Sequence, residues 1–357
     1  MDSAPNLFDR NSGLLLVMLA GIAIYVSVRA GLDAVTGGRP ATGGRLAVGY
    51  WLPVGAMAIW AAATDGVIKT GHGDIANYHG AVAMGIVFGT AVGGLLLAAG
   101  AAVLISPPKP MPGGRLLWPL LVPVGFLAMF AGFKGSLDMW AALALAAEGL
   151  VILAAVRPRF FAPMPVVDAT DDSPVPQRMP QLRVIQFVLA AGVAAVAAYF
   201  GLRGVDRIVI ETGRATPGLL TTILICPLLV LPSVGRATDL AQHGKSGEVI
   251  EAAVWQAVGN ICFLAPLLLV TTRITYVVQN WGTAKSAYGA GNPIPFPPMP
   301  FPVTVWRVDV LFVIAAGLLL LPVATGRWPL SKRQGLGMTV AYGFYLFLPI
   351  YWLRVTH

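Results

Sequence analysis

Charge is what this chain lacks most. Of 357 residues, 11% are Asp, Glu, Lys or Arg, against about a quarter in an ordinary soluble domain. So few charges cannot build a water-facing surface, which excludes a soluble globular enzyme, a secreted domain and a disordered chain. There are two cysteines, Cys226 and Cys262. Each lies inside an apolar run, where a thiol acts as a small core side chain, so a disulfide scaffold and a paired-cysteine zinc site are excluded. There is also no phosphate-cradling loop, nucleophile elbow or dinucleotide fingerprint. That argues against an ATP-driven pump and a conventional membrane enzyme, and no cofactor is expected.

What the chain has is hydrocarbon: 57% of its residues are hydrophobic and its mean hydropathy is +0.75. A helix crosses a bilayer with roughly 20 apolar residues. Charge-free runs of that order extend over 11–28, 46–64, 75–108, 116–133 and 139–156, the last interrupted by Glu148. After a polar interval they resume over 184–202, 215–235, 252–272, 310–326 and 335–353. The expected fold is therefore an all-α integral membrane protein of ten transmembrane helices. It divides into a first five-helix repeat (1–157), a cytoplasmic linker (158–183) and a second five-helix repeat (184–357). Within the second, the Pro-rich segment GNPIPFPPMPFPV predicts an extended interfacial loop at about 281–305. Asp2 and Asp9 stand where a cleaved leader would carry positive charge, so the first run reads as a retained span. The net charge of +8 reflects Lys and Arg in cytoplasmic loops rather than a nucleic-acid partner. Fourteen of the 24 basic residues fall in loops after odd-numbered spans, which predicts both termini outside a plasma (inner) membrane, with the lipid bilayer as partner. Trp51, Trp60, Trp140, Trp306, Trp328 and Trp352 near span ends suit an aromatic belt.

The chain also repeats itself. An offset of 174 residues aligns Pro53 with Pro227, the Ala-Thr-Asp ending at Asp65 with that ending at Asp239, Gly73 with Gly247, Asp74 with Glu248 and Gly85 with Gly259, without a gap. Five spans separate the copies, so the second is inverted relative to the first. Inverted repeats with interrupted helices are the architecture of secondary transporters.

The first copy reads AIWAAATDGVIKTGHGDIANYHGAVAMGIVF over Ala58–Phe88, and the second reads SVGRATDLAQHGKSGEVIEAAVWQAVGNICF over Ser233–Phe263. Together with the last span after Gly326 and Arg327, these resemble the signature repeats and final helix of the calcium/cation antiporter superfamily, the sodium/calcium exchanger membrane region. The resemblance implies antiport of Na+ or H+ against Ca2+ or another cation, with small inorganic cations as the partners bound.

Asp65 and Asp239 are the leading cation-binding and metal-ligating candidates. A carboxylate within a span is costly and marks an ion or proton path, and equivalent acids in inverted halves are expected to meet at mid-membrane and share one ion. Thr64 and Thr238 precede them and offer hydroxyl oxygens. The resemblance adds Asn260 as a neutral oxygen ligand, whose counterpart in the first copy is Ile86. Arg236, three residues before Asp239, pairs with it on one helix face and disfavours a divalent ion. His79 and His243 are expected as interfacial hydrogen-bonding groups and proton-sensitive modulators; a haem or metal held between them is a competing reading. Asp74 and Glu248 read as first-turn acids of the following helices. A further competitor is a non-transporting membrane scaffold that retains the fold.

Overall fold

Hydrocarbon offers no hydrogen bonds, so a backbone crossing it must satisfy its own N–H and C=O groups, and this chain does so with helices. The computed structural model describes residues 12–36, 43–64, 68–70, 73–75, 78–108, 118–160, 180–212, 221–289, 294, 296, 299–302, 305–324 and 328–355. Helices α1 (Ser12–Thr36) and α2 (Gly43–Ala63) lead to a short hairpin, β1 (Ile68–Thr70) and β2 (Gly73–Ile75). Helix α3 (Tyr78–Gly93) runs through a π-helical turn, Gly94–Ala98, into α4 (Ala99–Ile105). Then come α5 (Leu121–Ala131), β3 (Ser136–Leu137), α6 (Met139–Phe160) and α7 (Pro180–Thr212). A π-helical turn, Thr221–Ile225, opens α8 (Cys226–Gln242), and α9 (Ser246–Gly259) passes through another, Asn260–Leu264, into α10 (Ala265–Gln279). Helix α11 (Trp281–Gly289), β4 (Met299–Pro300), the π-helical Val305–Asp309, α12 (Val310–Ala324) and α13 (Lys332–Val355) complete the chain. Among the described residues, six helical stretches are long and apolar enough to cross a membrane.

The stretch His79–Ile105 is the axis of the bundle, 89% buried, whereas Val184–Ile208 is 28% buried and turns most of its surface outward. Water-driven burial does not hold helices together inside a lipid phase; close packing through small residues does. Helices α1 and α7 pack antiparallel, with Gly13 beside Gly204 and Gly31 beside Ala190, and Gln186 Nε2 donating to Ala30 O at 3.0 Å. A Cβ on Gly204 would stand 2.7 Å from Gly13 O, so the helices touch backbone to backbone.

Several expectations need correction. Residues 281–289 form helix α11 instead of opening an extended loop. Met299 and Phe301 are fully buried: β4 pairs with β3, Phe301 meets Phe88 edge to face, and Thr272 Oγ1 donates to Met299 Sδ at 3.4 Å. Met299 and Phe301 thus plug the core from the extended segment at β4. Asp74 stands opposite Lys69 in the β1–β2 register, not in a first helical turn, because α3 begins four residues later. Glu248 does occupy the first turn of α9. Trp51 is no interfacial anchor: its indole lies on Gly259, and Nε1 donates to Gln256 O at 3.2 Å. Residues 161–179 of the linker lie outside the described residues, and helix extends to Phe160 and resumes at Pro180.

A Cβ on Gly259 would fall 1.2 Å from Trp51 Cζ2. Gly259→Ala should therefore destabilise the protein by more than the roughly 1–3 kcal/mol of ordinary overpacking, read as a lowered melting temperature in detergent. Adding Trp51→Ala should recover much of that loss by making room, whereas a melting temperature unchanged in Gly259→Ala would contradict this packing.

Candidate functional site

A buried polar side chain in such a bundle must pair internally or stand ready for something that arrives. Midway along the central stretch His79–Ile105, polar groups gather on two faces of one helical turn. On the first face lie Thr90 and Asn260, both 0% exposed, with Gln256 at 1%. Asn260 Nδ2 donates to Val87 O at 3.0 Å and to Thr90 Oγ1 at 2.9 Å. Thr90 spends its own proton on Ile86 O at 2.6 Å. Asn260 Oδ1 is left with no partner among the described residues, as are both amide atoms of Gln256. The arrangement follows from helix geometry: 256 and 260 are one turn apart, and so are 90 and 94. Asn260 meets Thr90, and Gln256 Oε1 lies 2.9 Å from where a Cβ of Gly94 would be. The two helices therefore cross antiparallel through two polar rungs, and glycine at 94 leaves room for the second amide.

On the adjacent face, Gly89 clears space for Cys226 and Tyr345. A Cβ there would lie 2.5 Å from Cys226 Sγ and 3.1 Å from Tyr345 Oη. Asp309, 3% exposed, joins this group, in electrostatic contact with Tyr345 and Cys226. Three of the four π-helical turns among the described residues start or end on this belt, at Gly94, Asn260 and Asp309. Such turns widen the coil, re-aim side chains and occur often at functional positions. A further carboxylate, Glu148, lies outside the belt in electrostatic contact with Cys262; its Oε2 is buried without a partner among the described residues. Cys262 is thus the neighbour of Glu148. No group of three or more His, Cys, Asp or Glu able to hold a metal occurs among the described residues.

Of the residues singled out from the sequence, Asn260 is in the belt. Thr64, His79, Arg236, Thr238, Asp239 and His243 sit toward the ends of the bundle. Thr64, exposed just past α2, donates to Trp60 O at 2.8 Å. His79 Nδ1 lies 2.7 Å from Thr64 O and Nε2 lies 2.8 Å from Asp206 Oδ1. Both ring nitrogens thus face acceptors, which is satisfied in full by the imidazolium form. These groups line a cleft of about 140 Å³ with Tyr199 and Arg203. At the other end, Thr238 and Asp239 line a cleft of about 230 Å³ with Tyr25, Arg29 and Arg236. Asp239 is exposed, Thr238 Oγ1 donates to Gly235 O at 2.8 Å, and His243 Nδ1 lies 2.8 Å from Asp239 O. Arg236 shares the cleft with Asp239 without an ion pair, its Nε buried and unpartnered among the described residues. Asp65 lies outside the described residues.

Helix α1 gives the distance between the ends. Ser12 accepts from Arg207 Nη1 at 3.0 Å, beside the Asp206–His79 pair, while Arg29 lines the Asp239 cleft. About 25 Å of helix separates Ser12 from Arg29 at roughly 1.5 Å per residue. Thr64 therefore shares no ion with Thr238 and Asp239, and neither threonine is at the level of Asn260. The expected meeting of Asp65 with Asp239 at mid-membrane involves Asp65, which lies outside the described residues. His79 and His243 are separated in the same way, so no haem or metal bridges them.

Sequence reading missed Thr90, Gln256 and Asp309. The first two sit in long helical patterns as ordinary polar residues. Asp309 was legible as the acid adjoining the ninth apolar run, but that run was taken to begin one residue after it. Spin labels at positions 64 and 239 should report a separation of about 25 Å or more by pulsed electron resonance; a separation near that of an ion-sharing pair would contradict this placement.

No family model matches the chain, and no curated protein matches it. Solved structures do. The H+/Ca2+ exchanger CAX superposes with a TM-score of 0.64 at 17% identity, over 96% of this chain and 84% of that one. The native YfkE structure gives 0.62 at 13% identity, over 94% and 90%. The sodium-calcium exchanger NCX_Mj, soaked with Na+ and Sr2+, gives 0.56 at 14%, over 95% and 97%. The chain is a multi-pass membrane protein that shares the fold of these solved structures with a divergent sequence.

Proposed function

We propose that this protein is a secondary active cation antiporter of the sodium/calcium exchanger type, exchanging Na+ or H+ for Ca2+ or another cation by alternating access. The belt at mid-height supports this reading: Asn260 Oδ1 and Gln256 Oε1 are buried carbonyl-type oxygens without partners among the described residues. Oxygens of this kind replace the hydration shell of a hard cation. That two of the structures with this fold are an H+/Ca2+ and a sodium-calcium exchanger supports it too.

On this reading the helices form ten spans in two inverted five-helix repeats, 1–157 and 184–357, with both termini outside the cytoplasm. Asn260, Gln256 and Thr90 hold the cation. Thr238 and Asp239 attract it at one mouth and Thr64 acts at the other. Arg236 and His243 modulate the first mouth, and His79 the second. The α1–α7 pair, packed chiefly on itself, moves against the remaining helices. His79 and Asp206 close one end while α7 is docked.

The alternative, a non-transporting membrane scaffold that keeps the exchanger fold, is favoured by one observation. Ile86, where the repeat would call for a second asparagine, is fully buried apolar packing, so the neutral ligands are lopsided. Flux in proteoliposomes driven by Na+, K+, Ca2+ and pH gradients separates the two. Wild type should exchange cations. Asn260→Ala and Gln256→Ala should each lower the initial rate about tenfold or more, the loss expected when about 1.4 kcal/mol of ion stabilisation is removed. Folded, inserted wild type without flux under any gradient would leave the scaffold.

A further inference from the structure

The Asn260, Gln256 and Thr90 face of the belt contains no negative charge of its own, while the carboxyl of Asp309 is buried on the adjacent helix face. Gly89 and Thr90 are consecutive, so the Asp309 group and the Asn260 rung lie at one height on two sides of the same helix. The two are about one helix width, 10 Å, apart. In a low-dielectric interior, a charge on one side is felt strongly on the other.

The surroundings of Asp309 define what it can bind. Cys226 faces it from α8, and Tyr345, with Tyr342 beside it, from α13. Helix α3 contributes Gly89, and α5 has no titratable residue. Arg307, two residues back on the same π-helical turn, is exposed. One carboxyl, phenol hydroxyls and a thiol do not make a site for Ca2+, which takes six to eight oxygens, and a thiol is a poor partner for any hard cation. No cationic side chain among the described residues neutralises the acid. What this cluster can accept is a proton, and ionisable groups in membrane interiors commonly mark proton relays.

We propose that Asp309 is a reversible proton site, which takes up a proton when the belt is empty and releases it when a cation occupies the belt. On uptake an O–H bond of a hydronium ion from the aqueous phase breaks as the carboxyl O–H bond forms; on release the carboxyl O–H bond breaks, its electron pair stays on the carboxylate oxygen, and the proton is returned to water. The cation then gains the compensating charge that Asn260, Gln256 and Thr90 lack, and Tyr345 is the positioning residue that holds the carboxyl in place. This rests on the antiporter reading and names its counter-ion as H+.

Infrared difference spectroscopy tests it without requiring transport. Purified protein is held at constant pH, and Na+, K+ or Ca2+ is added as the chloride. Wild type should lose the C=O band of a protonated carboxyl on addition of the cation it binds, and the band should shift when aspartate is labelled with 13C. Asp309→Asn should lack that change. Tyr345→Phe, which keeps the ring that packs on Phe312, should shift the band without abolishing it, so the assignment survives if Asp309→Asn fails to fold. A band change that persists in Asp309→Asn would overturn the proposal, and so would no change in wild type with any of the three cations. Wild type that shows the change but carries no flux would sustain Asp309 as the proton site while removing the antiporter reading, so the two failures are distinguishable.

Discussion

A polar atom at the centre of a lipid-embedded bundle has no water to turn to, and the arrangement of this protein depends on how that constraint is met between α3 and α9. Asn260 spends both amide protons on α3, at Val87 O and Thr90 Oγ1, which locks the two helices in register. The same register brings Gln256 to the gap at Gly94, and Trp51 over Gly259 onto the Gln256 carbonyl. Each of these contacts needs a small residue opposite a large or polar one. The glycines of this chain thus set helix separation where burial from water cannot supply the attraction.

From that register follows the division between interior and ends. The interior polar groups Asn260, Gln256, Thr90 and Asp309 are deeply buried and cluster around Gly89 and Thr90. Charged groups gather at the ends, where Asp206 meets His79 and where Asp239, Arg29 and Arg236 line a cleft. An acid at a helix end can attract a cation from solution at little cost. An acid in the interior must exchange its charge with something, and that difference separates the roles proposed for Asp239 and Asp309.

Much of this was legible in the sequence, and the failures have physical causes. Long apolar runs must be helices in hydrocarbon, so the membrane class and the positions of most helices follow from composition. The resemblance to exchangers led to the fold that the solved structures share. Depth was misread. The alignment pairs Thr64 with Thr238 in sequence, yet the two lie toward opposite ends of the bundle, the first beside the His79–Asp206 pair and the second in the Arg29 cleft. The periodicity of an apolar run does not mark where its ends fall. Asn260 was found because a neighbouring glycine and a family pattern pointed to it. Thr90 and Gln256 become notable only once α3 and α9 are seen to cross. The Pro-rich segment was placed at the interface, because nothing in its composition shows that Met299 and Phe301 reach the core.

The central claim is that the cation is held at mid-height by Asn260, Gln256 and Thr90, not in the cleft of Asp239. Locating a bound heavy cation, Rb+ or Sr2+, by anomalous diffraction from soaked crystals tests this most directly. The account predicts a peak between α3 and α9 within about 3 Å of Asn260 Oδ1, a bond length for a large cation on oxygen. A peak confined to the cleft of Asp239 and Thr238, with the belt empty, would contradict it.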